Sequence, residues 1–370
     1  MNCPSVPEIN ISDLSATFLT QLGGRRYPLS GLFELTERCN LNCVHCYINQ
    51  APGSKAARKN ELSTDQVKNI LDQMAASGTL YLTLSGGEAL LRKDFTEIYQ
   101  YAKKLGMLIG IFTNGTLINA DIADMLANLR PHWIDITLYG ATRETYEEVT
   151  RVPGSFNRCM RGIALLRERD LPIYLKTSVL TINVHELSQM QDFAGQLGTS
   201  FRYDGLLWPR LDGDQHALQY QLSPQALIAL EEQDPSRLQG WCEMADKWSG
   251  TPARAEYVYS CGAGLQSFHI DSGGQMSMCT MSRKPAYSLL EMSFQEAWEK
   301  LGDLRKEKRQ METPCQTCTL GALCSQCPGW SQAVHGDNET PVAFLCELAH
   351  LREKQVQQYC VLQEQLVTMN

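Results

Sequence analysis

The chain has 370 residues, 43% hydrophobic and 20% charged, the balance of an ordinary folded protein rather than a disordered one. Lys plus Arg total 33 against 41 Asp plus Glu, a formal net charge of -8, so the totals lack the cationic surplus that binding to nucleic acid calls for. No run approaches the roughly 18 apolar residues of a membrane span, and Met1–Asn10 has no basic segment leading into an apolar one, so no membrane anchor or secretory signal is expected and the chain reads as cytoplasmic.

Residues 1–30 contain Pro4, Pro7, Gly23, Gly24 and Pro28 and read as an N-terminal arm, too short to fold alone. Six short runs rich in branched and aromatic residues then follow, at 32–36, 80–85, 107–113, 133–139, 173–180 and 201–207, each a predicted strand. Between them lie helical patterns. Ser63 with Gln66 three residues on predicts a capped helix start. Further helices are expected over 94–105, 119–129, 155–169 and 185–197. Strands that alternate with helices need a crossover each time and so pair in parallel. Residues 31–215 therefore predict an α/β fold, a partial (β/α)6 TIM-like barrel rather than a full eight-unit one. A connecting helical segment is expected over 216–255 and a small cysteine-rich domain over 256–370. Within that domain, 266–271 and 275–281 flank Ser272, Gly273 and Gly274, a β-hairpin signal, with helices towards the C-terminus.

The 14 cysteines are clustered. In a reducing compartment, clustered cysteines point to metal ligands before disulfides. Cys39-x3-Cys43-x2-Cys46 follows the first strand directly, where a parallel barrel carries its chemistry. Three thiolates there can hold three irons of a four-iron cluster and leave one iron open. A structural zinc site would need a fourth ligand, for which His45 is the candidate. The second set comprises Cys261, Cys279, Cys315, Cys318, Cys324, Cys327 and Cys346, and its paired C-x2-C steps also suit a zinc ribbon. Cys3, Cys159 and Cys360 read as ordinary small residues.

Cys39, Cys43, His45 and Cys46 resemble the signature of the radical S-adenosylmethionine (SAM) superfamily, C-x3-C-x-aromatic-C. The seven later cysteines resemble its SPASM extension, with a last gap of two residues where the usual pattern has three. The resemblance spans about 31 to 350 and implies SAM, a SAM-binding [4Fe–4S] cluster and two auxiliary iron–sulfur clusters. It implies SAM contacts from His45, Gly86, Gly87, Glu88, Asn114, Thr137 and Arg151. Where relatives carry Ser-Leu-Asp-Gly this chain has Thr137, Leu138, Tyr139 and Gly140, so the role of that acid does not carry over. By order, one auxiliary cluster takes Cys315, Cys318, Cys324 and Cys346. The other takes Cys261, Cys279 and Cys327, with Cys242 or an open iron as the fourth position.

The same resemblance implies an oxidoreductase that forms a 5′-deoxyadenosyl radical and abstracts hydrogen from a precursor peptide, with a crosslink as one product class. Thr280 stands where sulfatase maturases carry an Asp, which argues against that activity. A porphyrin or other small metabolite is the alternative substrate, and a non-catalytic zinc scaffold is the alternative of another class. The implied partners are a separate small leader-binding protein and an electron donor such as flavodoxin or ferredoxin, with no nucleic acid and no membrane.

Overall fold

The computed structural model describes residues 25–48, 50–247 and 256–368. Most of the expected arm, including Cys3, and the end of the connecting segment lie outside the described residues. Six strands, β1 (Ser30–Glu34), β2 (Tyr81–Ser85), β3 (Leu108–Thr113), β4 (Trp133–Thr137), β5 (Ile173–Ser178) and β6 (Phe201–Asp204), pair in parallel in sequence order. β1 starts two residues earlier than expected, and the other five fall inside their expected runs.

The helix Thr64–Ala76 begins with the expected capping box: Ser63 accepts from the Gln66 N–H, and the Gln66 side chain accepts from the Ser63 N–H. Val67, Ile70, Leu71 and Met74 recur at helical spacing and are buried against the sheet. Helices Phe95–Lys104, Ala120–Asn128, Ser155–Arg167 and Leu187–Gln196 lie where the sequence predicts. Helices Lys55–Asn60 and Arg143–Thr150 were not expected, because each is mostly polar and too short to show a period. Phe33, Leu82, Leu84, Ile109, Ile134, Ile136 and Leu175 are completely buried between sheet and helices. Each such side chain contributes about 1.5–3 kcal/mol.

The expected hairpin is present as β7 (Ser267–Ile270) and β8 (Gln275–Ser277), with Gly274 at φ +80° in its turn. Its placement was not legible in the sequence. β7 pairs in parallel with β1, on the edge opposite β2, and β8 and β9 (Tyr287–Ser288) continue antiparallel. One sheet of nine strands therefore runs from β6 at one edge to β9 at the other.

Glu34, the last residue of β1, fastens this junction. It is completely buried, receives two hydrogen bonds from Arg283 at 2.8 and 2.7 Å, and lies 3.4 Å from His269 on β7. Burial alone would raise its pKa, but His269 and Arg283 outweigh burial and hold the carboxyl at about 2.

Helix Pro235–Lys247 packs on the C-terminal helix Ala343–Thr368 around Cys242, Leu323 and Val356. Cys242 and Cys360 are joined there by a disulfide. This corrects the reading of Cys360 as an ordinary residue and removes Cys242 as a cluster ligand. The sequence could not show it, because the pairing depends on how two helices dock.

Glu34→Gln leaves Arg283 buried without its counter-charge, for an expected loss of about 3–5 kcal/mol. The ordinary carboxyl value is 4.5 and the folded value about 2, so the stabilisation is complete above pH 4.5 and is lost as pH falls towards 2. Denaturant midpoints of the two proteins are expected to converge over that window. A gap independent of pH would show that the carboxylate charge contributes nothing.

Candidate functional site

The loops after β1, β2 and β3 meet at the ends of their strands. Thr36–Arg38 leads from β1 to Cys39, and Gly86–Gly87 ends β2. The two backbones touch: Gly87 N–H donates to Thr36 O at 2.7 Å, and Glu88 N–H to Arg38 O at 2.9 Å. A Cβ on Gly86 would stand 2.2 Å from Thr36 O, and one on Gly87 2.5 Å from Arg38 O; Gly86 also has φ +130°. Only glycine permits that approach. From the other side, Arg38 pairs with Glu61 at 2.6 and 2.9 Å, both side chains almost fully buried.

The β3 loop holds the first cysteine. Asn114 donates from Nδ2 to Asn40 at 3.0 Å and lies 3.7 Å from Cys39 Sγ, while its Oδ1 accepts from Thr116. Cys39, Cys43, His45, Cys46, Gly86, Gly87, Asn114 and Thr137 all line one cavity of about 600 Å³. Burial pushes the Cys39 thiol up to about 12 and raises that of Cys43, with the other cysteines adding to both. A bound cation reverses that preference, because thiolates are stabilised by metal. His45 Nδ1 is buried with no hydrogen-bond partner, and burial lowers the ring's pKa to about 4. Its ring lies 5.4 Å from that of Tyr139, whose phenol pKa is raised by burial and by the nearby Cys43. Tyr139 thus packs beside the cysteine loop.

Two expected contacts stand elsewhere. Glu88 is buried outside the lining, where it accepts from Asn114 N–H at 2.8 Å, Leu90 N–H at 3.1 Å and the Thr113 hydroxyl at 3.0 Å. Burial raises its pKa to about 7 against these bonds. Arg151 is exposed at the end of helix Arg143–Thr150, away from the lining, in the left-handed region with φ +56°.

The wall across from the cysteines was missed. Lys176 on β5 and Arg202 on β6 line the cavity, and both pair with the buried Asp135 on β4. A lysine amid Leu175 and Thr177 in a predicted buried strand was the available signal. Met281, two residues after Cys279, reaches the same cavity from the C-terminal module.

The later cysteines assemble as two sets. Cys315, Cys318, Cys324 and Cys346 line one cavity of about 200 Å³. Cys261 and Cys279 act electrostatically on Cys327, which caps helix Pro328–His335. Gly329 lets that helix dock: a Cβ there would lie 3.2 Å from the Met281 backbone. Among the described residues, no three or more His, Cys, Asp or Glu side chains converge as ligands of one metal ion. Cysteines holding a four-iron cluster would each bind a different iron and would not need to converge on one point.

Gly86→Ala meets both the Thr36 carbonyl and an unfavourable φ, and is expected to lower stability by more than about 1 kcal/mol. Gly53→Ala, with nothing within 4 Å, is the control. Equal thermal midpoints for the two variants would contradict the close approach.

Residues 33–194 match the family model of the Radical SAM superfamily. The chain is 28% identical over 328 residues to an AdoMet-dependent heme synthase of Methanosarcina barkeri, covering 82% of this chain and 92% of that protein. It is 28% identical over 307 residues to the mycofactocin maturase MftC of Mycolicibacterium smegmatis, covering 79% and 75%. Among solved structures it resembles Streptococcus suis SuiB bound to its precursor peptide SuiA, with TM-score 0.65 and 15% identity over 89% of this chain and 80% of that one, a likeness of fold. Residues 33–194 are a radical SAM domain, and the chain shares the fold of the SuiB and anSMEcpe structures at 15–16% identity.

Proposed function

We propose that this enzyme modifies a residue of a precursor peptide by hydrogen abstraction. The family uses SAM and a [4Fe–4S] cluster, and the residues present fit both. Cys39, Cys43 and Cys46 surround one end of the cavity as three thiol donors, and the unpartnered His45 Nδ1 lies in the same wall. When bound, SAM and the cluster supply a 5′-deoxyadenosyl radical able to remove hydrogen from an unactivated carbon. The chain's own residues then have separable tasks. Asn40 and Asn114 hold the loop carrying Cys39, Glu88 holds Asn114 through its backbone, and Gly86–Gly87 leave backbone open to the cavity. Thr137 and His45 are the proposed side-chain contacts to SAM. Cys315, Cys318, Cys324 and Cys346 are the proposed ligands of one auxiliary cluster, and Cys261, Cys279 and Cys327 of the other.

The observation that carries the peptide reading is the similarity to the mycofactocin maturase MftC over 79% of this chain and 75% of that protein. Met281 of the C-terminal module forms part of the cavity wall that an entering side chain would meet. The second reading, a porphyrin substrate, is favoured by the similarity to an AdoMet-dependent heme synthase over 92% of that protein's length. Co-expression with candidate precursor peptides, followed by mass spectrometry, separates the two. A mass change confined to a peptide residue supports the first reading, and turnover of a free porphyrin with unchanged peptides overturns it.

Replacing Cys39, Cys43 and Cys46 together with Ala is expected to abolish 5′-deoxyadenosine formation while the auxiliary clusters remain visible in the absorption spectrum. Unchanged SAM cleavage would remove the loop from the mechanism. Cys318→Ala is expected to lose one cluster and the modified product yet retain uncoupled 5′-deoxyadenosine formation. Full product yield without that cluster would exclude a catalytic role for it.

A further inference from the structure

Opposite the cysteine loop the cavity wall carries an unbalanced group of charges. Asp135 on β4 is buried, with 5% of its side chain exposed, and two cations share it. Lys176 Nζ lies 3.8 Å from Asp135 Oδ2, and the Arg202 guanidinium donates to the same oxygen. Lys176 is also seated on the face of Phe112, its Nζ 3.1 Å from the ring centroid. Asp135 therefore faces two cations: Arg202 is 62% exposed and solvated, while burial lowers the pKa of the Lys176 amine to about 7, so its charge at the wall is only partly held until an anion arrives. Asp204 is the carboxylate in the cavity lining, and the buried Asp135 is not part of that lining. Asp204 Oδ1 accepts from Leu206 N–H at 2.9 Å.

A purely structural ion pair would need one cation for one carboxylate. A second cation facing a cavity, with its side chain only 20% exposed, lacks the solvation a surface lysine has. The aromatic face beneath it recovers part of that loss, and an anion entering the cavity would recover more. The strand pattern explains why the group faces inward. Leu175 is buried in the core between sheet and helices, so Lys176 beside it points to the other face, where it lines the cavity.

We propose that Lys176 and Arg202, braced by Asp135 and Phe112, bind a carboxylate of the substrate and so select an anionic substrate group for the cavity. This rests on the radical SAM reading of the cavity and names the chemistry of what enters it. A carboxylate arrives from either of two sources, an acidic residue of a peptide or a propionate of a tetrapyrrole. Lys176 and Arg202 are specificity-determining residues here, and no proton transfer is assigned to them.

The test reads the environment of Lys176 in the iron-loaded, SAM-bound resting protein, with no turnover required. Trace acetylation with acetic anhydride, quantified by peptide mass spectrometry against an exposed lysine such as Lys306, reports how accessible the Lys176 amine is. One arm compares the tripeptide acetyl-Gly-Glu-Gly-amide with its Gln counterpart. The other compares coproporphyrin III with its tetramethyl ester. In one arm the carboxylate probe is expected to slow Lys176 acetylation at least about fivefold more than its neutral partner. For Lys176→Met and Lys176→Arg, binding of that probe is followed by calorimetry. Met is expected to weaken it by about tenfold or more, the worth of a hydrogen bond to a charged group, and Arg to keep it within about threefold. Equal protection by the neutral probe, protection in neither arm, or full affinity in a folded Lys176→Met protein overturns the proposal. If wild-type protein binds the probe but forms no 5′-deoxyadenosine under reduction, the radical reading fails and the carboxylate site stands.

Discussion

The closeness of two backbones controls this site. The turn after β2 can rest on the strand exit after β1 because Gly86 and Gly87 have no side chains, and a Cβ at either would fall inside 3 Å of a carbonyl oxygen. That contact sets the position of Cys39 relative to β2, and the Asn40–Asn114 bond then ties it to β3. Three successive strand ends are thereby locked into one wall, and the cysteines, His45 and Thr137 face a common cavity. Loops that carry function gain precision from a rigid scaffold in this way.

The C-terminal module belongs to the same construction. Its first strand extends the barrel sheet beside β1, and Arg283 and His269 reach Glu34 at the end of that strand. The segment from Cys279 to Arg283 is consequently held at both ends, by the proposed cluster site on one side and by Glu34 on the other, and Met281 between them enters the cavity. The stacking of Trp208, which lines the cavity, on Trp330, three residues after Cys327, adds a second bridge with ring centroids 3.7 Å apart. The proposed auxiliary-cluster site and the cavity thus share one wall.

Much of this was legible in the sequence for physical reasons. The barrel strands are short branched runs with turn residues after them, and the Ser63–Gln66 capping box is a local signal that the structure repeats bond for bond. The cysteine spacings led to sets of which Cys39, Cys43 and Cys46 line one cavity and Cys315, Cys318, Cys324 and Cys346 another. What stayed hidden depends on distant contacts. The β1–β7 pairing joins segments more than 200 residues apart, the Cys242–Cys360 bond depends on helix docking, and Arg151 is turned away by the left-handed end of its helix. Glu88 was expected to contact SAM, and its carboxylate accepts from the Asn114 N–H and the Thr113 hydroxyl. Lys176 was passed over because one charged residue in an apolar strand carries no motif.

The central claim is that the cavity at the cysteine loop brings SAM to an iron–sulfur cluster. Electron paramagnetic resonance of the anaerobically reconstituted, reduced protein, recorded with and without SAM, addresses it directly. The spectrum of one cluster is expected to change on adding SAM, and that change is expected to be absent when Cys39, Cys43 and Cys46 are replaced. A spectrum indifferent to SAM, or one that responds equally in the replaced protein, would contradict the account.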